Sequence, residues 1–174
     1  FRPALKLTNM LLVLFQWPWL ALACGVIGAL ALLRRPRPSD PAWLVCWMLP
    51  MYMIHQFEEH GVVLLGRRFH FISELCSTLG HPNVDRCPAD PWFILAVNVG
   101  AVWIAGLAAI AWRDKNVLVG LCAFGIPLVN AFAHIVPAVK RGAYNSGLVT
   151  AVVLFLPISI HALRVAVRES VLPR

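Results

Sequence analysis

Charge is what this chain has least of. Only 13% of its 174 residues are charged, where soluble proteins carry roughly 25%, and 60% are hydrophobic. That scarcity excludes an ordinary water-soluble surface and implies an integral membrane protein of one domain. The few charges are mostly basic, giving a formal net charge of +7. They sit in short clusters at the ends of apolar runs, a placement that suits anionic lipid headgroups better than a nucleic-acid duplex. The sequence also lacks a Gly-rich phosphate loop, basic–aromatic interleaving and zinc-finger spacing. Neither a nucleotide cofactor nor a nucleic-acid partner is expected; the expected partners are the bilayer and a hydrophobic small molecule.

Cysteines number five. Cys24, Cys46 and Cys122 fall inside apolar runs and read as small core residues. Cys76 and Cys87 share a hydrophilic connection and can pair if that side faces an oxidising compartment, but spacing alone does not fix their distance in space. The chain opens at Phe1 without a methionine, which points to a natural start upstream. The first apolar segment runs on too far past Cys24 for a cleaved signal peptide.

Five apolar segments reach the roughly 20 residues a transmembrane helix needs. They run over about 7–33, 41–66, 92–112, 117–139 and 143–163, with a polar connection at 67–91. The expected fold is therefore an all-α, polytopic bundle of about five transmembrane helices. The first span stops at the basic, proline-broken Arg34–Pro38 turn, and Pro41 opens the second as a first-turn proline. Pro50, one turn before His55, is expected to kink the second span and open space beside that histidine. Phe69 to Leu79 reads as a short interfacial helix, and His81-Pro82-Asn83 as a turn. No internal repeat is present, which with an odd number of spans counts against a duplicated carrier. Eight basic residues (Arg34, Arg35, Arg37, Arg113, Lys115, Arg164, Arg168, Arg174) face seven on the other side. The denser first cluster inclines that side towards the cytoplasm and the long connection away from it.

Inside the second span lies His55-Gln56-Phe57-Glu58-Glu59. Helical winding puts His55, Glu58 and Glu59 on one face, and charges at membrane depth are costly enough that a chain usually keeps them for use. At 1.5 Å per residue these groups lie roughly 21 to 27 Å along the span, next to the long connection. Asn130 and His134 in the fourth span, Asn98 in the third, and Tyr144, Asn145 and Ser146 in the fifth reach the same layer. Taken singly, Asn98 and Asn130 can be helix-packing groups and Tyr144 an interfacial anchor. His60 is rotated about 100° from Glu59 and is expected to point elsewhere. His161 reads as an interfacial histidine at the opposite end, and His70 and His81 as turn residues.

A histidine and carboxylates on one turn, with a histidine from a facing helix, make a metal-ligand set. His55, His134, Glu58 and Glu59 are the candidate ligands for a divalent ion, zinc first and iron second. A glutamate left free would act as general base towards water, with Tyr144 and Asn145 orienting substrate or stabilising charge. Asn98, Asn130 and Trp47 are candidate substrate contacts. The expected activity is metal-dependent chemistry on a lipid-like or small hydrophobic molecule, hydrolysis ahead of oxidation. A metal-free acid/base isomerase of the sterol-isomerase type uses the same residues with walls from Trp43, Trp47, Trp92 and Trp103. A non-enzymatic carrier or accessory subunit is the third reading.

These residues resemble the HXXEE-domain membrane proteins, a family defined by that motif, a second histidine and a Tyr-x-Pro-Gly element. His55-Gln56-Phe57-Glu58-Glu59 supplies the first, His134 the second and Tyr144-Asn145-Ser146-Gly147 the third, with Ser146 where the pattern has proline. The likeness covers Pro41 to Leu156. It implies a functional site in the layer described, without naming its reaction.

Overall fold

The computed structural model describes residues 3–61, 70–81, 83 and 86–169. The end of the second apolar run (62–66), Arg67, Arg68, Phe69, Pro82 and the tail from 170 lie outside the described residues, as do the side chains of 3–15, His70 and Cys122. Among the described residues every regular element is helical. Helix α1 (Pro3–Leu33) is followed by α2 (Pro41–Val45), α3 (Met48–His60) and α4 (His70–Thr78). Then come α5 (Pro91–Leu95), a wide π-type stretch π1 (Ala96–Trp103), α6 (Ile104–Trp112), α7 (Val117–Cys122) and α8 (Gly125–Arg141). The short α9 (Leu148–Thr150), π2 (Ala151–Phe155) and α10 (Leu156–Arg168) close the chain as one continuous rod.

Among the described residues four stretches are long and apolar enough to cross a membrane: Gln16–Leu33, Pro91–Trp112, Val117–Arg141 and Leu148–Arg168. Their outer faces carry large apolar side chains in the open, such as Ile27 at 67% and Val139 at 76% exposure, as a lipid-facing surface would. The Pro41–His60 segment is not among the four. It is broken at Cys46–Trp47 and carries both glutamates.

The break has a cause in the sequence. Pro50 has no N–H to offer the carbonyl of Cys46, so α2 stops there and α3 begins with Pro50 in its first turn. The expected opening beside His55 does not appear. The relief is taken up by α1, whose Gly25 and Gly28 press onto Pro50: a Cβ at Gly25 would stand 2.8 Å from the Pro50 carbonyl, and one at Gly28 2.9 Å from its ring. The two glycines bring the helices together.

α3 is the central helix. Met48, Met51 and Tyr52 belong to one apolar cluster with α2, α7, α8 and α10, while Leu49 and Met53 belong to a second with α1, α4 and α5. Flanked on both sides, its polar residues are enclosed by protein rather than lipid. α4 takes the place of the short helix expected over Phe69 to Leu79. It ends in a left-handed Gly80, with the His81 N–H closing on the Cys76 carbonyl at 2.7 Å. Cys76 is bridged to Cys87. Cys24, read as a core residue, is exposed on α1, and Cys46 is half-buried with its thiol on the Ala42 carbonyl.

The last rod starts five residues later than expected, at Leu148, because Gly142 (φ 61°) and Gly147 (φ 96°) both turn the chain left-handed. Tyr144, Asn145 and Ser146 therefore lie in a turn folded back over the bundle. His161 donates to the Pro38 carbonyl at 2.8 Å, at the far end from the site, as its position implied.

Candidate functional site

The buried face of α3 meets α8 and the start of α9. His55 is wholly enclosed, and Glu58, Glu59 and His134 are 8%, 6% and 5% exposed. Glu59 Oε1 lies 3.0 Å from His134 Nε2 and 3.5 Å from His55 Nε2. One atom from each of the three residues falls within 4.8 Å of the others.

The surrounding hydrogen bonds decide which ring nitrogens carry protons. Thr150 Oγ1 is 2.5 Å from Glu58 Oε2, so its hydroxyl donates there in preference to the 3.3 Å Gly147 carbonyl. With that proton committed, Thr150 Oγ1 can only accept from His55 Nδ1 at 2.7 Å. At the other ring, Asn145 Nδ2 donates to the His134 carbonyl at 2.8 Å, which turns its Oδ1 towards His134 Nδ1 at 3.1 Å. Both Nδ1 atoms are thus donors, and both rings aim Nε2 at the same carboxylate oxygen. Two acceptors 3.0 Å apart repel unless a cation or a proton lies between them. His134 Nε2 is buried and has Glu59 Oε1 as its polar neighbour.

Glu58 is occupied otherwise. Oε1 accepts from the Tyr144 hydroxyl at 2.8 Å and the Val149 N–H at 3.0 Å, and Oε2 from the Thr150 N–H at 2.7 Å as well as its hydroxyl. Gly147, the residue preceding α9, has no side chain to cap the exposed amides of the new helix; Glu58 caps them from across the bundle. The carboxylate is saturated and lies outside the three-residue set. The Tyr144 hydroxyl, committed to Glu58, is held above its ordinary pKa by burial and by that carboxylate.

Gly147 closes the floor of the site. A Cβ there would stand 2.7 Å from His134 Cε1, 2.8 Å from His55 Cε1 and 3.0 Å from Glu59 Cγ. Ser146, in the place of proline in the Tyr-x-Pro-Gly pattern, is buried and leaves this turn intact.

His60 does not point elsewhere. Its Nε2 comes within 3.3 Å of Glu59 Oε2, because the long glutamate side chain bends towards it and the imidazole is held between Trp17 and Phe71 at 5.1 and 5.0 Å. Asn98, turned inward by π1, accepts from the fully buried Gln56 at 2.9 Å, and Trp103 donates to Gln56 Oε1 at 2.7 Å. Asn98 in turn donates to the Ile94 carbonyl at 2.9 Å, which ties Gln56 to α5. Trp47 is not at the site: it precedes α3, two turns from His55, and packs edge-on against Trp43 at 5.8 Å. Trp92, on the outer end of α5, is 41% exposed. Sequence reading missed Gln56, Thr150 and Gly147; a buried amide and a threonine three residues after a glycine were the available signals.

Asn130 donates to the Tyr52 hydroxyl at 3.1 Å and lies 3.3 Å from His55 Nε2, where it can occupy that lone pair. It also forms the inner end of a cavity of about 320 Å³ between α4 and α8, lined further by Phe71, Leu75, His134, Pro137 and Asn145.

Membrane-length helices around a central polar helix, with two imidazoles and a carboxylate facing one another inside, define a helical bundle protein fitted to a bilayer with an enclosed polar site. Over residues 46–162 the chain matches, and belongs to, the family described as protein of unknown function with HXXEE motif. No curated protein and no solved structure matches it.

Proposed function

We propose that the chain is a membrane-embedded, metal-dependent enzyme acting on a lipid-like or small hydrophobic substrate, hydrolysis ahead of oxidation. His55, Glu59 and His134 hold the ion, zinc ahead of iron. The observation that carries this reading is the pair of imidazole Nε2 atoms directed at one buried carboxylate oxygen, each ring held at Nδ1 by a second residue. Metal-binding histidines are oriented in this way by partners on the other ring nitrogen. The spacing also fits: nitrogen and oxygen ligands about 2.0–2.1 Å from a tetrahedral ion lie about 3.3 Å apart, between the observed 3.0 and 3.5 Å. An ion held by three protein groups keeps a position open and supplies Lewis-acid activation of water or a carbonyl.

The chain's own residues divide the remaining work. Thr150, backed by Glu58, holds the His55 proton on Nδ1; Asn145 does the same for His134. Asn130 lies between the set and the cavity and is placed to contact a substrate there. In this reading α2 and α3 together make a fifth crossing inside the other four. The Cys76–Cys87 bridge supports an oxidising environment for the connection, and so a site in the extracytoplasmic half.

The test is elemental analysis of the detergent-purified protein beside a His55→Ala, His134→Ala double variant. Stoichiometric zinc or iron is expected in the parent and absent from a folded variant. No metal in either, even after reconstitution, would sink the metal reading. It would favour the metal-free acid/base isomerase, in which a proton fills the 3.0 Å gap between Glu59 and His134.

A further inference from the structure

The cavity beside the site is built from two helix faces. On α8 its wall is Asn130, Ala133, His134, Pro137 and Arg141, spaced as one stripe of a helix. On α4 it is Phe71, Glu74, Leu75 and Thr78, again one stripe. The result is a groove with a polarity gradient. Its inner end holds Asn130 and His134, its walls are largely apolar apart from Glu74 and Thr78 on α4, and its outer end is Arg141, the last residue of α8, where a membrane helix meets lipid headgroups. From His134 to Arg141 the helix rises about 10 Å. Arg141 is exposed and makes no ion pair among the described residues. The α4 wall is tethered on its other side, where Cys76 is bridged to Cys87.

Resting on the site reading above for its chemical end, we infer that this groove binds a single-chain amphiphile with an anionic headgroup, the head at Arg141 and the reacting group at His134, about 10 Å further in. A volume of about 320 Å³ is at the small end of ligand pockets, which run to about 1,000 Å³, and suits one chain rather than two. The largely apolar walls disfavour a wholly polar molecule. An arginine offers planar, multidentate recognition that serves a carboxylate or a phosphate alike.

The experiment is equilibrium binding of tritiated decanoate, decyl phosphate and decanol to the purified full chain, with zinc present and after chelation. At least one of the two anions should bind, decanol should bind at least about tenfold more weakly, and Arg141→Gln should weaken the anion by about tenfold while Arg141→Lys retains most of it. The tighter anion identifies the headgroup chemistry. Ala133→Phe, which fills the groove, should abolish binding without changing thermal stability greatly. Anion binding indifferent to Arg141→Gln, decanol bound as well as the anions, or no binding of any probe would each overturn the inference. The metal reading fails separately. Arg141-dependent binding that persists in a protein unable to hold zinc supports the groove alone, whereas stoichiometric zinc with Arg141-independent binding supports the site and refutes the groove's occupant.

Discussion

Replacing Gly147 by alanine separates backbone strain from crowding of the site, because Gly142 provides an internal control. Both residues have positive φ, 96° and 61°, so an alanine at either takes on the left-handed conformation at about 1–2 kcal/mol. Their surroundings differ. A Cβ at Gly142 meets nothing within 4 Å, whereas one at Gly147 meets both histidine rings and Glu59 at 3.0 Å or less. None of those three can move away freely, since His55 is tied to Thr150, His134 to Asn145, and Glu59 lies between them. Overpacking of this kind costs about 1–3 kcal/mol beyond the backbone term. The rings must also give by several tenths of an ångström, and disturbing what orients metal-ligating histidines lowers metal affinity about 10- to 100-fold. Zinc affinity measured by chelator competition, alongside thermal unfolding in detergent, should show Gly142→Ala near the parent in affinity. Gly147→Ala should be weaker by at least about tenfold and the less stable of the two. Equal zinc affinity in the two variants would refute the claim that the Gly147 backbone forms the floor of the ion site.

Two further outcomes follow from the same geometry. Glu58→Gln keeps the shape but replaces an acceptor oxygen with an NH₂ facing donors. It should destabilise the fold by about 3–5 kcal/mol, the range for breaking a buried charged pair, and Glu58→Asp by less; a melting temperature unchanged in Glu58→Gln would contradict the capping role. Opening the Cys76–Cys87 bridge, by reduction or by a double serine variant, frees a short loop and should cost about 2–3 kcal/mol, seen as faster proteolysis at α4 while the membrane-length helices stay protected.

Much of this site was legible in the sequence because polar groups inside apolar runs have few uses. The shared face of His55 and Glu59 followed from helical winding, and the depth of His134 and Asn145 from their position along the chain. Glu58 shared the same face, but winding says nothing of where a flexible carboxylate ends. The amides of α9 claimed it, and they became visible only once Gly147 was seen to lack a side-chain cap. Thr150 was silent because a lone threonine in a membrane span ordinarily bonds its own helix. His60 was misjudged by treating residues as points on a cylinder; aromatic neighbours from α1 and α4 set its direction. The start of the last rod was misplaced because two left-handed glycines in an apolar stretch alter backbone direction without altering hydropathy. Trp47 shows the reverse error, a chemically attractive residue with no neighbour in the site.

The cap that Glu58 places on the final rod also constrains how the molecule is assembled. In the order of synthesis α3 emerges long before α8 and α9, and on insertion scales a charged residue at mid-membrane is penalised by about 2.5–3.5 kcal/mol. At that moment Glu58 has none of the donors that later surround it and Glu59 has only His55 and His60 of its own helix, since Tyr144, Val149, Thr150 and His134 are still to come. The central segment therefore has its charges fully paired only once the last segment arrives. The C-terminal rod acts as the keystone of assembly. A chain halted before Gly147 should leave the His55–His60 segment open to labelling from the aqueous side.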